Sequence, residues 1–376
     1  MSRGTVAGAF VVGVELDGDG AHPAAWRASG HTPAELLSGR TVAARVAAAE
    51  RAGFTFATFD DSPLPPSAGP DITARIDAVQ RAAFAAPLTG AIGLVPAAHS
   101  TYSEPFHVGT QLASLDFAAG GRAGWLVTVD PDARIAALYG RPAVDADAAR
   151  ERAADAVEVA RRLWDSWEDD AEIRDVATGR YLDRDRVHYA AFAGGDYSIV
   201  GPAIVPRPPQ GQLPVFGDAA LSGSVELDVA LLTAGTDADD TTELIAAVAA
   251  GAAAARASDR TGTALVVVEL DVVLDHAGVD AADRLEALDG HTAWSTERAR
   301  FVGSAPALVD LLTGLASVVD GVRLHPAVLD IDLDELGRAV LPRLRAAGVF
   351  TSPAPGGTLR DSLGLARPVS RYATAR

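Results

Sequence analysis

Three residue types are absent, and each absence closes off a class of chemistry. The chain of 376 residues contains no cysteine. Disulfides, thiolate metal sites and a cysteine nucleophile are therefore excluded. It contains no lysine, so all 32 basic residues are arginine. That removes Schiff-base catalysis and the phosphate-gripping lysine of a P-loop. It contains no asparagine, so N-glycosylation is impossible. No apolar run reaches the roughly 18 residues expected of a transmembrane helix, so no membrane partner is expected. The opening apolar stretch is broken at once by Asp17 and Asp19. It reads as a first strand rather than a signal peptide, and the chain as cytoplasmic.

Positive charge is also scarce. The net charge of −18 would repel a phosphate backbone, so nucleic acid is not expected as a partner. Several site signatures are missing too. There is no HExxH or other paired-histidine spacing, and His99 and His107 do not share a helical face, so no metal is expected. Asp17, Asp19 and Gly20 lack the closing glutamate of a calcium loop. No GxSxG elbow occurs. After the first strand, Gly18-Asp19-Gly20 runs on to His22-Pro23 with no third glycine, which argues against an open dinucleotide-binding sheet.

What is present is a long alternation of strand-like and helix-like segments. Strands are expected at Phe10–Leu16, Thr55–Phe59, Leu88–Val95, Trp125–Val129, Leu213–Phe216, Leu227–Thr233, Ala264–Leu274 and Gly321–Leu324. Helices are expected at Val42–Ala52, Ile72–Phe84, Glu104–Ala118, Asp145–Trp167, Thr241–Ala255, Ala305–Ala316 and Leu333–Ala347. Residues 168–212 carry Pro202, Pro206, Pro208 and Pro209 and read as an irregular excursion. The tail, about 351–376, reads as wrapping the outside. About eight parallel units in one α/β domain over 1–376 favour a closed (β/α)8 TIM barrel over an open sheet.

Longer blocks carry a family resemblance. AERAGFTFATFDDS (49–62), GAIGLVPAAHSTYSEPFHVGTQLASLDFAAGGRAGWLVTVD (90–130), LWDSWEDDA (163–171) and GPAIVPRPPQGQLPV (201–215) come in order. FVGSAPALVDLL (301–312), LPRLRAAGVF (341–350) and TLRDSLGLARP (358–368) follow. Together they resemble the luciferase-like flavin-dependent monooxygenases, in particular the nitrilotriacetate, desulfurization and alkane branch. The stretch from Thr233 to Arg300 matches poorly and is shorter than the family's usual insertion.

The resemblance implies a barrel holding FMN at the C-terminal strand ends. Reduced flavin would come from a partner reductase and activate oxygen against a small organic substrate. F420 is the alternative cofactor, and a barrel that has lost flavin is the alternative role. A homodimer is expected by analogy. The site residues it implies are His107 and Tyr102 as catalytic groups. Asp60, Thr101, Leu126, Thr128, Arg150, Ser222 and Gly223 are implied as cofactor-binding positions. Three positions depart from the family pattern. Leu126 replaces an asparagine and cannot hydrogen-bond a ring edge. Arg150 replaces a tyrosine. The phosphate loop QAG-x-S-x-x-G becomes Asp218 through Val225, with Ala220 and Val225 in place of glycines. Arg150 is the residue suited to offset Asp218 and grip a phosphate.

Overall fold

The computed structural model describes residues 10–64, 74–235 and 241–373. Eight parallel strands pair in sequence order and close on themselves. They are β1 (Val11–Glu15), β2 (Phe56–Phe59), β3 (Gly93–His99), β4 (Trp125–Thr128), β5 (Val215–Asp218), β6 (Val229–Thr233), β7 (Leu265–Leu274) and β8 (Gly321–Pro326). The fold is the (β/α)8 barrel expected. A ninth strand, Ala299–Gly303, pairs only with the upper half of β7, Leu270–Leu274. It straddles the end of the poorly matching stretch and the start of the FVGSAPALVDLL block.

Helices coat the barrel because each carries one apolar stripe. In α1 (Gly39–Ala52) the buried residues include Val46, Ala49 and Ala52, an i, i+3, i+6 row. The helix is started by Ser38, whose hydroxyl accepts from the Thr41 amide, and stopped by Gly53 in the left-handed region at φ 93°. Helix α2 (Ala78–Ala85) is capped by Asp77, so the expected start at Ile72 is six residues early, and 72–73 lie outside the described residues. Glu104 caps α3 (Pro105–Ala118) and Asp145 caps α4 (Ala146–Asp165). The side chains between strands and helices form one continuous apolar layer.

Three expectations are corrected by the packing, and the lack of a helix between the fifth and sixth strands matches the sequence pattern. Residues 86–88 form a 3-10 turn and β3 starts only at Gly93, because Pro87 and the loop after it break pairing. The excursion is not structureless: Glu172–Asp175 pairs with Arg180–Leu182, and Phe192–Ala193 with Ser198–Ile199, both antiparallel. No helix stands between β5 and β6. Residues 219–228 alone connect them, fewer than a helical crossover needs, and they hold one 3-10 turn, Ala219–Leu221.

The third correction concerns the tail. It does not simply wrap the outside. Leu359, on the short helix Leu359–Ser362, and Leu363, just after it, join the cluster inside the barrel at its N-terminal end. A Cβ on Gly93 or Gly124 would collide with or crowd Leu359, at 2.5 and 3.1 Å. Those glycines leave the space the plug fills. Arg360, buried, anchors the helix by donating to the Gln212 carbonyl at 2.6 Å and pairing with Asp228 at 3.0 Å.

Candidate functional site

Alternation along each strand divides the lumen into two storeys. The lower storey is apolar: Val11, Phe56, Val95, Leu126, Phe216, Val229, Leu231 and Val267 pack over the Leu359 plug. Gly13 of β1 admits the Phe56 ring, which would lie 2.2 Å from a Cβ there. The next inward positions, toward the C-terminal strand ends, are polar: Glu15, Thr58, Thr128, Thr233, Glu269 and Arg323, with His325 above.

All of these polar groups except Thr128 form one lattice centred on the buried Arg323. It donates to Glu15 Oε2 at 3.0 Å and lies 3.4 Å from Glu269 Oε1. His325 Nε2 meets Glu269 Oε1 at 3.1 Å, and Thr233 Oγ1 donates to Glu269 Oε2 at 3.0 Å. Thr58 Oγ1 and the Asp60 amide donate to Glu15 at 2.7 and 3.1 Å. Burial works against the Glu269 carboxylate, but Arg323 and then His325 outweigh it. They hold Glu269 well below the ordinary carboxylate range. Burial and then Arg323 push His325 down to about 4, so it is neutral at pH 7. Burial would also weaken the Arg323 cation, but Glu269 and Glu15 raise its pKa further.

Two adjoining compartments open at this face. A cleft of about 430 Å³ runs from β4 toward β7. Leu126, Val129, Leu221 and Leu231 make one apolar wall, with Asp60, Glu269 and Arg323 at the inner end and Arg150 and Asp218 on the rim. A smaller polar compartment of about 270 Å³ lies over β8, β1 and β2, lined by Glu15, Asp17, Asp60, Arg298, Arg323 and His325. Asp60 and Arg323 border both. Burial, then Asp17 nearby, raises the pKa of Asp60.

Four of the residues expected from the sequence therefore meet in the larger cleft: Asp60, Leu126, Thr128 and Arg150. Arg150 is ion-paired with Asp147 and partly exposed. Thr128 Oγ1 is held at 3.0 Å by His99 Nδ1, while His99 Nε2 is buried without a partner.

The others stand elsewhere. Tyr102 is buried against Ile135 and Ala136, and its hydroxyl accepts from the Val144 amide at 3.3 Å. Thr101 is buried, and its hydroxyl accepts from the Asp130 amide at 3.0 Å. His107 lies exposed on the first turn of α3. None of the three lines either compartment.

Ser222 faces a groove on the barrel's outside, between α4 and the turn after β5, and its hydroxyl is buried and unpartnered. Gly223 is the exposed tip of that turn. Trp125 is core, donating its indole N–H to the Ala98 carbonyl at 3.0 Å.

Glu15, Asp17, Glu269, Arg298, Arg323 and His325 were not foreseen. For all but Arg298 the signal was in the sequence nonetheless: VELD, VVVELDVV and VRLHP put titratable groups at every second position of otherwise apolar strands. In a barrel such charges point into the lumen.

A closed parallel barrel with ligand-sized clefts at the C-terminal ends of its strands is the type of (β/α)8 protein that carries its chemistry on that face. The chain belongs to the luciferase-like monooxygenase family, whose model matches residues 21–312. It is 36% identical over 215 residues to the N-acetyl-S-(2-succino)cysteine monooxygenase of Bacillus subtilis, 56% of this chain and 48% of that one. It is 40% identical over 136 residues to nitrilotriacetate monooxygenase component A of Aminobacter aminovorans, 36% of this chain and 30% of that one. The chain thus spans about half or less of the length of these two curated relatives. Among solved structures, the EDTA monooxygenase of Chelativorans sp. BNC1 superposes with a TM-score of 0.78 at 22% identity, covering 96% of this chain and 99% of that one. That likeness concerns the fold. No described helix is long and apolar enough to cross a membrane.

Proposed function

We propose that the protein is a flavin-dependent monooxygenase acting on a small organic substrate, with FMN bound in the larger cleft and delivered reduced by a separate reductase. The observation that carries this reading is the cleft itself. It combines an apolar wall, a polar inner end and a guanidinium on the rim, in a volume suited to a cofactor. The flavin supplies the oxygen chemistry when bound. The chain's own residues bind, orient and exclude water. Leu126, Val129 and Leu231 offer the ring an apolar face. Asp60, its pKa raised by burial and by Asp17, holds a proton at the inner end closer to neutral pH than an ordinary carboxylate.

Arg150 would hold the phosphate. The turn after β5 has little to offer an anion. The Asp218 carboxylate already takes the Ala220 amide at 2.7 Å, and the Ser222, Ser224 and Val225 amides donate to carbonyls of the same turn. Burial raises the pKa of Asp218, which softens its repulsion of a phosphate.

The test is a fluorescence titration of the protein with FMN and riboflavin. Saturable micromolar binding is expected, with FMN favoured over riboflavin by about tenfold through one partly exposed guanidinium. Arg150→Ala should abolish that preference and leave riboflavin binding unchanged. The second reading, a barrel without flavin, draws on Leu126 and on the missing helix after β5. Absence of binding by FMN, riboflavin and F420 would establish it and overturn the first.

A further inference from the structure

Among the described residues, the polar compartment beside the flavin cleft is lined by one guanidinium whose terminal nitrogens are free. Most charged groups around it are internally matched. Both Glu15 oxygens accept hydrogen bonds from Leu16, Thr58, Asp60 and Arg323. Asp17 is bracketed by Arg75 and Arg81 at 2.7 and 2.6 Å. Arg323 is shared between Glu15 and Glu269. Two groups are left. One is the Asp60 carboxyl. The other is Arg298, whose Nε donates to Asp271 at 2.7 Å and whose two terminal nitrogens have no partner among the described residues.

Arg298 is also held rigidly. Asp271 beneath it is fully buried, and its second oxygen is without a partner. The Arg298 amide donates to Thr296 Oγ1 at 3.1 Å, and the next residue, Ala299, opens the accessory strand paired with β7. The side chain is about 29% exposed, enough for a ligand to reach and not enough for it to swing freely. A guanidinium fixed through Nε presents its two Nη groups as a fork, the geometry that matches a carboxylate in two parallel hydrogen bonds. The compartment is too small for a second cofactor and shares Asp60 and Arg323 with the cleft.

We propose that Arg298 anchors a carboxylate of the substrate, so that the polar compartment is the substrate subsite and the preferred substrates are small organic acids. The rest of such a molecule would extend past Asp60 toward the flavin cleft. The residue comes from the segment that least matches the family pattern, so this preference belongs to this chain. The inference rests on the flavin reading only for what happens after binding, and its test needs no flavin.

The probe is succinate, with succinamide as its uncharged counterpart, titrated calorimetrically into the intact protein. Succinate should bind saturably in the millimolar range or tighter, and succinamide at least about tenfold more weakly. Arg298→Gln should weaken succinate by about tenfold or more, and Arg298→Lys by less, since a point charge keeps the attraction but not the fork. FMN titration of Arg298→Gln should match the unaltered protein, showing that the cleft is intact, while its melting temperature should fall because the buried Asp271 loses its cationic partner. Equal binding of succinate and succinamide, unchanged succinate affinity in Arg298→Gln, or no succinate binding at all would each overturn the proposal. Flavin binding without succinate binding would sink this inference alone; succinate binding without flavin binding would sink only the monooxygenase reading.

Discussion

Replacing Arg323 by methionine should destabilise the barrel by about 3–5 kcal/mol at pH 7, the usual cost of stripping the partner from a buried ion pair. The magnitude follows from what Arg323 neutralises. Its side chain is only 8% exposed, and it serves two carboxylates that are 11% and 13% exposed. Methionine fills much of the same volume, so cavity formation adds little.

The pH dependence identifies the cause. In the intact protein Arg323 helps hold Glu269 below the ordinary carboxylate range, so Glu269 contributes stability above its unfolded pKa of about 4.5, lost as pH falls. Without Arg323, burial dominates and the folded pKa of Glu269 rises above that value. Acid then favours the folded variant. The deficit relative to the intact protein should therefore be largest at pH 7 and shrink toward pH 5. Urea unfolding at both pH values reads it directly. A loss under about 1 kcal/mol, the range of exposed pairs, or a deficit that does not change with pH, would refute the lattice as a buried, mutually dependent unit.

Two further outcomes follow from the same packing. His325, lowered to about 4 from 6.5, is neutral in the folded state, so stability should fall by roughly 3 kcal/mol as pH drops through this window. His325→Gln should flatten that limb, and an unchanged acid limb would count against it. Leu359→Ala should cost about 2–5 kcal/mol in urea unfolding, because Leu359 is buried in the lumen beneath the strands; a cost below about 1 kcal/mol would mean that the tail helix does not plug the barrel.

Much of the barrel was legible because its signals are local. Runs such as LVVVELDVVL are continuous and β-branched, as buried parallel strands are, and the amphipathic helices carry serine, aspartate and glutamate caps. Asp60 and Thr128 lie at the ends of β2 and β4, Leu126 points inward on β4 and Arg150 lies early in α4, so all four reach the larger cleft, because a barrel gathers its strand ends on one face. Tyr102 and His107 have similar positions along the chain but not in space. One turn of helix carries His107 to the outer surface, and a neighbouring amide takes the Tyr102 hydroxyl. The short connection 219–228, with no helix pattern, was legible too; what only the structure decided is that its Ser222, Ser224 and Val225 amides are taken by carbonyls of the same turn.

By itself the sequence determined the barrel, the excluded chemistries and the family pattern, because hydrophobic periodicity, caps and missing residue types act over a few residues. Tertiary structure alone decided which charges share the lumen. Glu15, Glu269 and Arg323 are separated by up to 308 residues along the chain and meet within 3.4 Å only when β8 closes against β1 and β7. It also decided that the tail plugs the barrel before running over its outside, and that Arg298 keeps a free edge, since each depends on how distant segments share space in the closed barrel.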